Sequence, residues 1–413
     1  MSTYALPHMR EQRQRMRLLS HDTLNGFGNI GEGMSLQLAS HGRRVLWLAH
    51  ESGPIDFTAV DVTNPASPKV VAQTELSHAH LRSNSLEVVD DLMVVAYQSK
   101  RPGEAGGGMG IYDVRDPASP KRIGFFDAVG PASRGVHQLW FADGVHVHMS
   151  AGSEDFMPLH PDDDQFYRIV DVSAPDRPRE VGRWWLPGTR EGEEDEAVAL
   201  ARVSGKRSHY RVHNTNVYAQ RPDRAYLGYL DAGAIILDIS SPKSPTMVSR
   251  WDNSPPFAGF THTVLPLFGR DLLVVTDESI VNDAADWPKL VWIVDARDER
   301  NLVPIATLPL PKPAEVLRYG GRYGAHNVHE NRPVEGSYQS ERYVIGSFFS
   351  GGVRIFDLDD PYRPVEVAHY IPECPEGAPF GAAQINDVMV DDRGIVFAGD
   401  RQTGGLYVVE WTP

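Results

Sequence analysis

The residues of this chain best suited to chemistry are four histidines, each at the same place in one of four similar segments. They are His137 in "RGVHQLWFADG", His213 in "YRVHNTNVYAQ", His262 in "GFTHTVLPLFG" and His326 in "YGAHNVHENRP". Each follows a small or apolar residue and precedes a β-rich stretch. Neutral imidazole is a preferred ligand for zinc, copper, iron and nickel. Four convergent rings would therefore hold a divalent metal. His329 is not part of this set, because side chains three apart on a strand point to opposite faces. Each ligating ring would need an acceptor for its second nitrogen; Glu32, Glu330 and Asp387 are the candidates. Three further segments carry Met34 or Ser35, Asn84 or Ser85, and Asn386 or Asp387 at the matching place. A histidine that merely stitched repeats together would recur in all of them, so its restriction to four consecutive segments points to a shared site.

Arginines accompany the histidines. Arg82, Arg134, Arg211 and Arg322 each lie two to four residues before a ring position. A guanidinium there would hold a carboxylate or phosphate through paired hydrogen bonds; surface ion pairing is the competing role. Arg82, Arg134, Arg211 and Asp387 are the expected catalytic or substrate-handling residues, acting on a small-molecule substrate that could be anionic. The stretch from 188 to 210, "GTREGEEDEAVALARVSGKRSHY", breaks the strand pattern and could form a short helix over the site.

These segments must be positioned by the elements around them, and one phrase recurs along the chain. It reads "AVDVTNPASPKVV", "IYDVRDPASPKRI", "IVDVSAPDRPREV", "ILDISSPKSPTMV" and "IFDLDDPYRPVEV", with a worn copy at "IVDARDERNLVPIA" and a truncated one at "YVVEWTP". The aligned acids are Asp61, Asp113, Asp171, Asp238, Asp295, Asp357 and Glu410. The spacing of roughly 50–65 residues is in the propeller range. In each copy an apolar run ends at the acid, and a proline-containing turn leads to a second run. Proline cannot donate to a ladder, so it belongs between strands. The acid can accept from nearby backbone N–H groups and fix the turn. With a Gly-containing turn and another strand upstream, each copy supplies about four strands. The expectation is a single all-β domain over residues 1–413, a seven-bladed β-propeller with an insertion near 188–210 between blades 3 and 4. The last copy stops at its third strand. Residues 15–25, "RMRLLSHDTLN", resemble the outer strands and should complete the last blade and close the ring.

The "IVDVSxPxxP" phrase resembles the LVIVD-repeat family of β-propellers across nearly the whole chain. That resemblance implies fold; it implies no activity, since function lives in the site and not in the fold. The ligand set is similar to that of carotenoid cleavage oxygenases, seven-bladed propellers with four histidines on Fe(II), which puts an iron oxygenase or related oxidoreductase first. Propeller lyases acting on uronates also use histidine-bound metal, with Mn a common choice, so a metal-dependent (Mn or Zn) lyase or hydrolase comes second. A non-catalytic binding scaffold is the third reading.

Composition narrows the field. The net charge is −15, with 55 acidic and 40 basic residues, and no basic face speaks for nucleic acid. The single cysteine, Cys374, excludes an internal disulfide and a thiolate cluster. No stretch approaches 18 apolar residues and no signal-like segment opens the chain, so the expectation is a cytoplasmic protein without a membrane partner. P-loop, GxSxG and HExxH motifs are absent. "GEAGGGMG" leads into a strand, which suits a turn better than a phosphate cradle.

Overall fold

The computed structural model describes residues 6–197, 209–254 and 257–412. Their structure is almost entirely antiparallel β. The strands form five four-stranded sheets and one eight-stranded sheet. The eight-stranded sheet spans the first two repeats, whose halves join through one residue pair, His50 with Ser83. This is an all-β architecture of antiparallel sheets, consistent with a β-propeller. Runs rich in branched apolar residues explain the strands: Leu272–Asp277 and Val291–Asp295 pack neighbouring sheets on both faces and are almost wholly buried.

The repeated acid does what its place in the sequence implies. Asp61, Asp113, Asp171, Asp238, Asp295 and Asp357 each accept a hydrogen bond from the backbone N–H two residues on, at 2.9–3.1 Å. A tight turn follows each, as in Ser67 N–H to Asn64 C=O at 3.0 Å and Ser119 N–H to Asp116 C=O at 2.9 Å. The prolines fall in these turns, where no ladder bond is lost.

The innermost strands follow one another in space as in sequence. Ile385–Val390 lies against Ile30–Ala39, which lies against Leu81–Val89, then Val136–Phe141, then Thr215–Tyr218. At the N-terminus, Met16–Asp22 pairs antiparallel with the last strand, Gly405–Trp411, from Met16 opposite Trp411 to Asp22 opposite Leu406. Met16 is buried and Arg17 pairs with Glu410 at 2.6 Å. The preceding Gln12–Gln14 adds to the edge of Val365–Ile371.

Two local expectations differ from what is found. The sixth repeat has no regular inner strand: the segment holding His326 makes only the isolated bridges Tyr323–Phe349 and Val328–Gly346. The expected helix of the insertion is a single turn, Glu194–Ala197, and most of the remaining insertion, 198–208, lies outside the described residues.

Candidate metal centre

The inner strands carry a β-bulge at one recurrent place. Register shifts fall between Ile30 and Met34, Arg82 and Ser85, Val136 and Gln138, Thr261 and Thr263, and Ile385 and Asp387. A bulge leaves its extra residue out of the ladder and re-aims that side chain. The residues so released include Glu32, Asn84, His137, His262 and Asn386. His213 and His326 reach the same region from just before or outside a strand. The matching residue in the first repeat is therefore Glu32, where the sequence alignment pointed to Met34 or Ser35. A longer bulge displaces the register there.

All four imidazoles are buried and gather around Glu32. Glu32 Oε2 lies 3.9 Å from His137 Nε2, 3.5 Å from His213 Nε2 and 3.7 Å from His262 Nε2, and Oε1 lies 3.7 Å from His326 Nε2. Glu278 Oε1 is also 3.7 Å from His326 Nε2. Glu32 thus faces the Nε2 atoms, whereas a carboxylate backing the other nitrogen was expected. Neutral groups fill that supporting role. His213 Nδ1–H donates to Asn214 Oδ1 at 2.8 Å, His262 Nδ1–H to Thr263 Oγ1 at 2.8 Å, and His326 Nδ1–H to the Asn386 carbonyl at 2.5 Å, while His137 Nδ1 lies between Gln98 Oε1 at 3.0 Å and the donor Arg82 Nη2 at 3.3 Å.

The wider network sets these directions. Asn214 Nδ2 donates to Glu330 at 2.7 Å, turning its oxygen to His213. Thr263 donates its own proton to Asn327 Oδ1 at 3.1 Å, and Asn327 Nδ2 donates to Asp387 at 2.8 Å. Glu330 and Asp387 therefore stand one and two residues behind the ring, respectively. With Nδ1 protonated on His213, His262 and His326, their Nε2 lone pairs point inward. His262 Nε2 and His326 Nε2 have no hydrogen-bond partner. His137 Nε2 and His213 Nε2 are 2.8 Å apart, close to the ~2.9 Å between nitrogens at right angles on one metal with ~2.05 Å bonds and under the ~3.3 Å of a tetrahedral one. Buried lone pairs facing one another with nothing between them are costly, so this donor set fits a metal cation.

Electrostatics favour ionised Glu32 and Glu278 and neutral His137 and His262, and shift His326 toward its protonated form. Burial pushes the Glu32 carboxyl up, but His213, His262, His326 and His137 together outweigh it and hold the group well below the usual carboxylate range. Glu278 is likewise held low, burial being outweighed by His326, Arg322 and His262. Burial, and then His213, push His137 well below the usual histidine range. Burial, His213 and His326 bring His262 down to about 4. His326 goes the other way: burial lowers it, but Glu278 and Glu32 raise it further.

The arginines surround the cluster in shared ion pairs. Asp164 takes both Arg134, at 2.6 Å, and Arg211, at 3.1 Å. Glu51 takes both Arg82, at 2.8 Å, and Arg401, at 3.1 Å. Arg322 pairs with Glu278 at 2.9 Å. Arg82 also donates to Gln98, the acceptor for His137. Phe349, at a φ of 49°, stacks on His326 with ring centroids 4.8 Å apart. Asp387 sits at a small cavity beyond Glu32, lined also by Met34, Glu87, Gln138, Glu330 and Arg332. Burial, chiefly, raises its carboxyl to about 7.

Other histidines stand apart. His78 and His80 stack on each other, His148 bonds Tyr167, and His329 Nε2 donates to the Tyr338 carbonyl at 2.7 Å. Glu278, Glu51 and Arg401 escaped the sequence reading, although "AHES", "TDES" and "GDRQ" close equivalent second strands. The polar neighbour in the "HN" of His213 and the "HT" of His262 was likewise a visible sign of their Nδ1 partners.

Comparison with known proteins adds to the fold class. The LVIVD-repeat model matches residues 223–253, which hold most of Arg221–Gly228, then Ala234–Asp238 and Thr246–Trp251. The chain thus carries an LVIVD repeat, consistent with the propeller-associated family of that name. No curated protein matches it. Among the described residues, no helix is long and apolar enough to cross a membrane.

Proposed function

We propose that this protein is a metal-dependent enzyme whose centre is held by His137, His213, His262 and His326 together with Glu32. The reading includes the finer architecture: seven blades, with the eight-stranded sheet counted as two and the N-terminal strand closing the ring. One observation carries it. Four buried imidazoles turn their Nε2 atoms to Glu32, and three of them, His213, His262 and His326, spend their Nδ1–H on neutral oxygens. The chain's own groups would bind and orient a small anionic substrate through Arg82, Arg134 and Arg211. In this reading Asp387 is a positioning residue, acting on His262 through Asn327 and Thr263. A bound divalent ion would supply Lewis acidity or, if iron, a site for O₂.

Iron(II) oxygenase or oxidoreductase chemistry is the first reading, supported by the histidine-dominated set. A metal-dependent lyase or hydrolase is the second, favoured by the two carboxylates on the Nε2 side, which also suit manganese and zinc. A cytoplasmic protein without nucleic-acid or membrane partners fits the acidic charge. The test is elemental analysis of protein purified without chelator. The reading expects close to stoichiometric metal or more, lost in His213→Ala; less than about 0.2 metal per chain in a folded wild-type sample would sink it. O₂ uptake by the loaded protein then separates the oxygenase from the lyase or hydrolase.

A further inference from the structure

We infer that the centre is dinuclear, with Glu32 as the carboxylate that bridges two ions; this deepens the metal reading and rests on it. The tight donor clusters here are threesomes: Glu32 with His137 and His213, Glu32 with His262 and His326, and His213 with His262 and Glu278, each within 4.8 Å internally. Each takes in two of the four imidazoles. A single ion with bonds of about 2.0–2.1 Å keeps all its donors within about 4.2 Å of one another, and a four-histidine ion would require all four rings in one such cluster. The first two clusters, two histidine pairs sharing Glu32, have the pattern of two adjacent ions, and the third, His213 with His262 and Glu278, spans the two positions.

The carboxylate is oriented for that role. Oε2 faces His137, His213 and His262, and Oε1 faces His326. The first position then takes His137, His213 and Glu32. The second takes His262, His326 and Glu32, with Glu278 at its outer edge, 3.7 Å from His326. The 2.8 Å separation of His137 and His213 suits neighbouring ligands on the first ion. At the second, the two partnerless Nε2 atoms of His262 and His326 find their acceptor. Charge also fits. Four neutral rings and two carboxylates against two dications leave a positive centre beneath the arginines, which an anionic substrate or hydroxide would balance. Paired ions about 3.5–4 Å apart clamp both oxygens of a displacement or hydrolysis, so the substrate class implied is a phosphate ester or carboxylic acid derivative.

The test is anaerobic equilibrium dialysis of the metal-free full-length chain against Mn(II), followed by electron paramagnetic resonance of the loaded protein. Two Mn(II) per chain with an exchange-coupled multiline spectrum is the expected result. His137→Ala should hold one Mn(II), and Glu32→Gln should lose the coupling; thermal melts check that each variant folds, and if one does not, the wild-type stoichiometry and spectrum decide alone. One Mn(II) per chain with the signal of an isolated ion would overturn the dinuclear centre while leaving the metal reading intact. No retained Mn(II), Fe(II) or Zn(II) would overturn both.

Discussion

His137 and His213 face each other through Nε2 at 2.8 Å, and both Nδ1 atoms are committed elsewhere. A cation held by both rings would take the place of that contact. Partners behind the ligands should then matter nearly as much as the ligands themselves. Thr263→Val keeps the shape of its side chain but removes the acceptor for His262 Nδ1–H; it should weaken metal binding by about 10–100-fold, measured by competition with a chelating dye. An unchanged affinity would mean that His262 is not a ligand. The four histidines were legible in the sequence because they recur at one place. Glu32 was legible only as a supporting residue. Its true place depends on how many residues the bulge before Met34 releases, and periodicity does not encode that count. Glu278 comes from the end of a second strand and shares no motif with the histidines.

At the scale of elements, bulges in the inner strands turn side chains toward the site, and close backbone packing holds those bulges in place. Gly228 shows how close. A Cβ there would lie 1.8 Å from the carbonyl oxygen of His262, so the neighbouring strand must move if a side chain is added. Gly228→Ala should cost about 1–3 kcal/mol of stability through overpacking and weaken metal binding through displacement of His262; thermal melts and metal titration of the same sample read both. The acid-and-proline phrase made the outer half of each repeat legible, including an acid that accepts from a nearby backbone N–H. The inner half was less so, because the sixth repeat replaces its inner strand with an irregular segment while keeping His326 in place. Pairing of Met16–Asp22 with Gly405–Trp411 follows the sequence pattern. Deleting residues 1–22 strips the outer edge of that sheet and should lower the Tm by on the order of 10 °C; an unchanged Tm would show that the strand is dispensable.

For the whole molecule, a buried and partly charged interior ties stability to pH. Asp56 is buried against Tyr97, which donates to it at 2.8 Å, and burial raises its carboxyl to about 7. A carboxyl raised in the folded state stabilises fully below its unfolded pKa and loses that contribution as pH climbs through the folded one. Asp387 acts in the same direction. Buried His50, His148 and His262, all lowered to about 4, oppose this trend only below their ordinary range. The Tm of the metal-free protein should therefore fall between pH 6.5 and 8, with each carboxyl contributing about 1 kcal/mol. Asp56→Asn should flatten the slope, and an equal slope in the variant would remove Asp56 from the account. The central claim concerns the same interior: that the imidazoles around Glu32 exist to hold metal. Anomalous diffraction from crystals equilibrated with Mn(II) tests it most directly. The account predicts strong peaks within about 2.3 Å of the Nε2 atoms of His137, His213, His262 and His326 and of the Glu32 carboxylate. An ordered map with all four rings in place and no peak among them would contradict it.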